Sequence, residues 1–200
     1  IMAQAQNPFM LKFDTYKESA PFSKIQNCHY EEAIDRGIKL AQQEIDAIVK
    51  QRSRPDFENT IVALENVGGD LNRVLNVFYP LLSSNSDDEM MEISLCVSAK
   101  LSEYSTNISL NEGLWQRIKE VYDNKDLFNL DAEDMMLLQR TYDSFARSGA
   151  NLQGEERNTY HKLSAELSEL TTKFGKKEKK ELNTYEIWLT KDELSGLPES

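Results

Sequence analysis

Cys28, His29, Glu31 and Glu32 bring a thiol, an imidazole and two carboxylates together within one short stretch, "CHYEEA". Those are the donor types of a transition-metal site. A zinc site on a helix needs more than types. It needs spacing such as H-E-x-x-H, or paired C-x-x-C, so that three or four donors converge. His29 and Glu32 stand three residues apart and can share a helix face. No second imidazole is near, because the other histidine, His161, lies far along the chain with Lys162 after it. The set is underfilled. The alternative is a helix N-terminus, where Glu31 and Glu32 face the positive end of the macrodipole.

Other chemistry-bearing residues read the same way. His161 flanks an apolar stripe without an Asp, Glu or Ser at relay spacing, so no catalytic role is assigned to it. Lys173, Lys176, Lys177, Lys179 and Lys180 form a basic cluster in an acidic chain. It would attract an acidic partner. The reading preferred is a solvated helix C-terminus, with pairing to Glu178 and Glu181. Met90-Met91 and Met135-Met136 read as core filling. There is no G-x-S-x-G elbow and no glycine-rich phosphate loop. The residues thus give no catalytic, cofactor-binding or metal-binding position.

The elements that carry these residues follow from periodicity. Residues 7–28 read as an extended lead-in, broken by Pro8 and Pro21, with Phe9, Phe13, Phe22 and Ile25 available to pin it to a core. Ile34, Ile38, Ala41, Ile45 and Ile48 recur at 4-3-4-3 spacing and predict a helix over 29–52. Asp56 is placed to cap the next helix, "FENTIVALENV", without a capping box because Asn59 stands where Glu or Gln is expected. Gly68-Gly69 either kinks that helix or divides it in two. The apolar register resumes at Leu71, Leu75, Phe78 and Leu82. Further helices carry Met90 to Ile108, Leu114 to Val121 and Met135 to Phe145. The last spans 155–181, with Tyr160, Leu163, Leu167, Leu170 and Phe174 in a heptad-like stripe. "TYEIWLT", residues 184–190, is β-branched and aromatic and reads as one strand.

The expected fold is therefore all-α: a bundle of six or seven helices with one short strand at 184–190. Residues 1–28 are the lead-in, 29–181 the helical domain, and 182–200 a strand followed by the start of something further. Composition agrees, since 200 residues with only 8 Gly and 5 Pro leave little punctuation for many strands. A net charge of −11 argues against nucleic acid and anionic lipid as partners. No apolar run approaches the roughly 18–20 residues a membrane span needs. Two cysteines, Cys28 and Cys96, make no disulfide framework. Ala3-Gln4-Ala5 fits the small-x-small pattern before a signal-peptidase cut, so residues 1–5 read either as the tail of an export signal or as a cytoplasmic start at Met2.

Several segments together resemble one family. They are "NPF" (7–9), "PF" (21–22) with Ile25 after it, "HY" (29–30), "FENTIVALE" (57–65), "GGDLNRV" (68–74), "SLNEGLW" (109–115), "FARSGANL" (145–152), "LSELTTKFG" (167–175) and "LSGLPES" (194–200). In this order they are similar to the thimet-oligopeptidase type of zinc metallopeptidase, most like its peptidyl-dipeptidase (dipeptidyl carboxypeptidase) branch, with the oligopeptidase A type near. The lysine run at 176–180 is more basic than that family leads one to expect. The resemblance implies a much longer parent enzyme whose zinc is held by two His of H-E-x-x-H and a later Glu, the motif Glu acting as general base. None of those residues matches a position here. It implies further that the chain is an N-terminal helical portion, one wall of a channel that admits oligopeptides. Its partners would then be the C-terminal catalytic portion and the peptide substrate. The competing expectation is a stand-alone helical module that binds a partner through an exposed apolar stripe.

Overall fold

The computed structural model describes residues 6–188. Among these, the architecture is an all-α bundle. The helices are α1 (Cys28–Val49), α2 (Ala63–Glu65), α3 (Gly69–Ser84), α4 (Asp88–Ser109), α5 (Glu112–Asp123), α6 (Ala132–Arg147) and α7 (Gly154–Thr184). The brief α2 continues a π-wound turn, Phe57–Val62. Short 3-10 turns shape the lead-in at Pro8–Met10, Tyr16–Glu18 and Phe22–Lys24.

α1 is the spine. Its buried positions, among them Ile34, Ala41, Ile45 and Ile48, form the stripe that the spacing predicted. The stripe serves two cores in succession. Its first half packs with Phe9, Tyr30, Leu71, Phe78 and Val97. Its second half packs with Phe57, Ile61, Leu114, Ile118 and Leu138. Truncating a fully buried member such as Ile34 to Ala would cost about 2–5 kcal/mol. α1 and α3 approach closely at Gly37, where an added Cβ would stand 2.8 Å from the Cα of Leu71. The Gly68-Gly69 alternative resolves as two helices: Gly68 takes φ +78°, the left-handed region that glycine enters freely, and α3 starts after it.

Helix starts are set by short polar side chains. Asp87 accepts from the Met90 N–H at 2.7 Å, Asn111 from Leu114 at 3.0 Å, and Asp131 from Glu133 and Asp134. One expectation is corrected at Asp56. A capping box is present: Asn59 N–H donates to Asp56 Oδ1 at 2.7 Å, and Asp56 N–H donates to Asn59 Oδ1 at 3.1 Å. An amide on a side chain shorter than glutamine reaches back across the turn and does the same work.

The lead-in is pinned by fewer aromatics than expected. Phe9 and Phe13 are buried, whereas Phe22 is 59% exposed. Arg73 of α3 supplies the missing grip. Its guanidinium donates to the carbonyls of Leu11 and Phe9 and lies 5.0 Å from the centre of the Phe13 ring. At the other end, α7 runs through Thr184 and Tyr185 turns to extended backbone. Of the expected strand 184–190, Thr184 ends α7, residues 185–188 carry no strand pairing, and residues 189 and 190 lie outside the described residues, as do residues 1–5.

Candidate functional site

The "CHYEEA" donors sit at the start of α1 and are already engaged. The Gln26 N–H donates to His29 Nδ1 at 3.0 Å. Asn7 Nδ2 donates to Glu32 Oε2 at 3.0 Å and to the His29 carbonyl at 2.9 Å. Cys28 is exposed, with Gln26 Oε1 3.9 Å from its sulfur. Asn27 ties this helix start to that of α4 through Asp87 and Glu89. These contacts make the segment a helix-start clamp. Among the described residues, no three His, Cys, Asp or Glu side chains converge as metal ligands. The described residues do not supply the converging donor set of a zinc site.

His161 lies on α7, its Nε2 3.3 Å from Asn107 Oδ1 of α4. The lysine cluster is drawn into structure by partners other than those expected. Lys173 pairs with Glu169, Lys176 reaches Glu92 on α4, and Lys179 donates to the Leu82 carbonyl at 2.7 Å. The methionines divide: Met90 is buried, whereas Met136 is 52% exposed and is not core.

Two surfaces stand out instead. The first is a groove of about 480 Å3 between α1 and α4, lined by Ile38 and Tyr104 below a rim that includes Asp35, Gln42, Asp46 and Lys100. Lys100 pairs with Asp35 at 2.7 Å, and that hydrogen bond pushes the ammonium pKa up. The Glu31 carboxylate raises the pKa of the Cys96 thiol, with desolvation adding to the rise. Burial raises the Tyr104 phenol and the Glu44 charge adds to it. Asp46 goes the other way, held below the usual carboxylate range by a hydrogen bond from Gln42 and by Lys50. Such a groove has apolar floor, charged rim and side-chain amides. It suits contact with an extended peptide, and it holds no nucleophile–base pair. Periodicity on α1 marks Ile38 but not the groove, because the second wall comes from α4, far along the chain.

The second is α7 itself. The stripe was expected to be a single face, yet the structure splits it. Tyr160 turns toward the bundle, while Leu163, Leu167, Leu170 and Phe174 are 58%, 66%, 57% and 70% exposed. The face that meets α4 is hydroxylic: Ser98 Oγ lies 2.7 Å from Thr172 Oγ1 and 3.4 Å from Ser168 Oγ. A cleft of about 400 Å3, rich in serine, runs between the two helices.

No family model matches the chain. Curated relatives do. Dipeptidyl carboxypeptidase of Salmonella typhimurium is 32% identical over 171 residues, which is 86% of this chain and 25% of the relative. Dipeptidyl carboxypeptidase of Escherichia coli is 34% identical over 172 residues, again 86% of this chain and 25% of the relative. Oligopeptidase A of Escherichia coli is 26% identical over 195 residues, 97% of this chain and 28% of the relative. The chain is homologous to this family of peptidases. It spans about a quarter of the length of these relatives. The peptidase homology therefore runs through the bundle as a whole, including "FENTIVALE" at the π-wound turn and "SGANL" before α7, and is not confined to one motif.

Proposed function

We propose that this chain is the N-terminal helical portion of a zinc-dependent peptidyl-dipeptidase or oligopeptidase that cleaves short unfolded peptides. In this reading residues 29–181 form the helical domain, 1–28 its lead-in, and 182–200 the passage into the remainder of the enzyme. The zinc ligands and the general base belong to that remainder. The role of this portion is steric. A rigid helical wall narrows the approach to the catalytic site, so flexible oligopeptides enter and folded proteins do not. Closure of the wall on the catalytic portion also shuts bulk solvent out of the channel, leaving the one water that hydrolysis consumes.

The observation that supports this reading is the extent of the homology. It covers 86–97% of the chain while accounting for only 25–28% of the peptidases. The test uses the full-length protein encoded by the same gene. After dialysis it is expected to retain stoichiometric zinc and to shorten peptides with a free C-terminus by dipeptides, read by mass spectrometry. Cleavage within C-terminally amidated peptides would assign the oligopeptidase mode instead. A full-length protein with neither zinc nor peptidase activity would refute the proposal.

One observation favours a second reading, a helical interaction module without enzymatic activity: the apolar stripe on α7 is exposed as a binding surface would be. A coding sequence beyond residue 200 that lacks H-E-x-x-H would decide for it.

A further inference from the structure

We propose that the outer face of α7 is the seat of an α-helix from the rest of the same polypeptide, so that α7 is an internal helix of the full-length protein. The inference rests on the reading of this chain as part of a larger peptidase.

An amphipathic surface helix normally turns its apolar stripe to its own bundle. α7 does the reverse. Leu163, Leu167, Leu170 and Phe174 point to solvent, each more than half exposed. The opposite face is held to the bundle by polar contacts along its length. Arg157 reaches Glu112 and the Leu110 carbonyl, Ser168 and Thr172 meet Ser98, and Lys176 reaches Glu92. These contacts fix the rotation of the helix, so a simple roll cannot hide the apolar side. Four large side chains in one row make a contiguous patch, and such patches mark interaction sites.

The pattern identifies the occupant. The 4-3-4 spacing repeats every seven residues and gives a narrow seam, the kind filled by one facing helix and not by a sheet. The other three quarters or so of the relatives' length supplies the helix, because the chain matches only 25% of dipeptidyl carboxypeptidase. A segment of the same polypeptide needs no concentration-dependent encounter, whereas a second copy would.

The experiment measures solvent access at the seam in the full-length protein. Leu167→Cys and Leu170→Cys are made separately, and maleimide labelling of each new thiol is followed by site-resolved mass spectrometry, native and in urea. The expected result is labelling at least 100-fold slower in the native protein, unchanged on dilution. Labelling within fivefold of the unfolded rate would overturn the proposal. Protection that vanishes on dilution, together with a dimer in light scattering, would overturn it in favour of a second copy. If a cysteine variant fails to fold, hydroxyl-radical footprinting of the unsubstituted protein reads the same protection at Leu163 and Phe174. Zinc content and peptide cleavage are measured on the same sample. Protection without peptidase activity keeps the docking and refutes the enzyme, and activity with an open seam does the opposite.

Discussion

Arg117 of α5 is a cation only 7% exposed, and what it holds predicts what its loss costs. Its Nη2 donates to Asn59 Oδ1 at 2.7 Å and to Thr60 Oγ1 at 3.2 Å. Its Nη1 makes longer bonds, 3.4 and 3.3 Å, to the carbonyls of Gln51 and Ser53. Nε is buried without a partner among the described residues. The Nη2 bonds, from a charged donor, are worth about 1.5–3 kcal/mol each, and the unpaired Nε costs about 1–3. The Nη1 acceptors belong to exposed residues that water can reach, so they contribute little. Taking the middle of each range, about 4.5 less about 2, the loss for Arg117→Ala is roughly 2–3 kcal/mol. With an m-value of about 2 kcal/mol/M, the urea midpoint falls by about 1–1.5 M. Arg117→Lys keeps the charge but not the fork, and is expected to lose at least half as much. Arg52→Ala, on the same connection and exposed, should stay within about 0.5 kcal/mol. Urea unfolding followed by circular dichroism reads all three. The reasoning is refuted if Arg117→Ala costs under about 1 kcal/mol, or if Arg117→Lys matches the unsubstituted protein.

Three further outcomes follow from other contacts. Gly37→Ala drives a methyl against the Leu71 backbone and should cost about 1–3 kcal/mol, while Gly175→Ala, with nothing within 4 Å, should gain roughly 0.5–1 by helix propensity; equal melting temperatures would refute both. The raised pKa of Cys96 leaves less thiolate near pH 8, so it should alkylate more slowly than an unperturbed thiol. Glu31→Gln lowers that pKa and should speed the reaction; an unchanged rate would remove Glu31 as the cause. Arg73→Ala frees the lead-in, and trypsin cleavage at Lys12 and Lys17 should rise about tenfold, equivalent to about 1.4 kcal/mol of local opening; unaltered cleavage would mean that Phe9 and Phe13 suffice.

Periodicity carried the bundle because burial enforces it. The Ile34 to Ile48 stripe of α1 and the Leu114, Ile118, Val121 stripe of α5 are buried or nearly so where spacing put them. The misreadings share a physical origin. A pattern reports that a helix is two-faced, and not which face meets the bundle. On α7 the apolar face lost that place to a hydroxylic one. Phe22 is hydrophobic and exposed because the grip on the lead-in comes from Arg73, far along the chain, which local pattern does not register. The capping box at Asp56 was missed by asking for a residue type when the geometry asks only for an acceptor of the right reach. The α1–α4 groove was hidden for the same kind of reason, since a charged helix face and the rim of a groove are identical until a second helix is laid beside them.

The distribution of polar groups argues for a division of labour. Metal-assisted hydrolysis needs donors that converge in a sheltered cavity, with a free base beside them. Here His29 and Glu32 are engaged at a helix start, and His161 at a helix–helix contact. Buried Arg117 holds backbone carbonyls and neutral side chains, and half-buried Arg73 holds two carbonyls of the lead-in, with Asp70 3.7 Å away. These groups use their hydrogen bonds to fix segments relative to one another: lead-in to α3, α1 to α4, the 50–56 connection to α5, α7 to α4. This is the construction that the proposed role of a rigid wall calls for. Rigidity is also what the α7 face requires, because a docking stripe presented on a loosely held helix would lose affinity to the entropy of ordering it. In the proposed docking, the polar contacts behind α7 and the apolar residues in front of it act as one device: the first fixes the helix so that the second can be met.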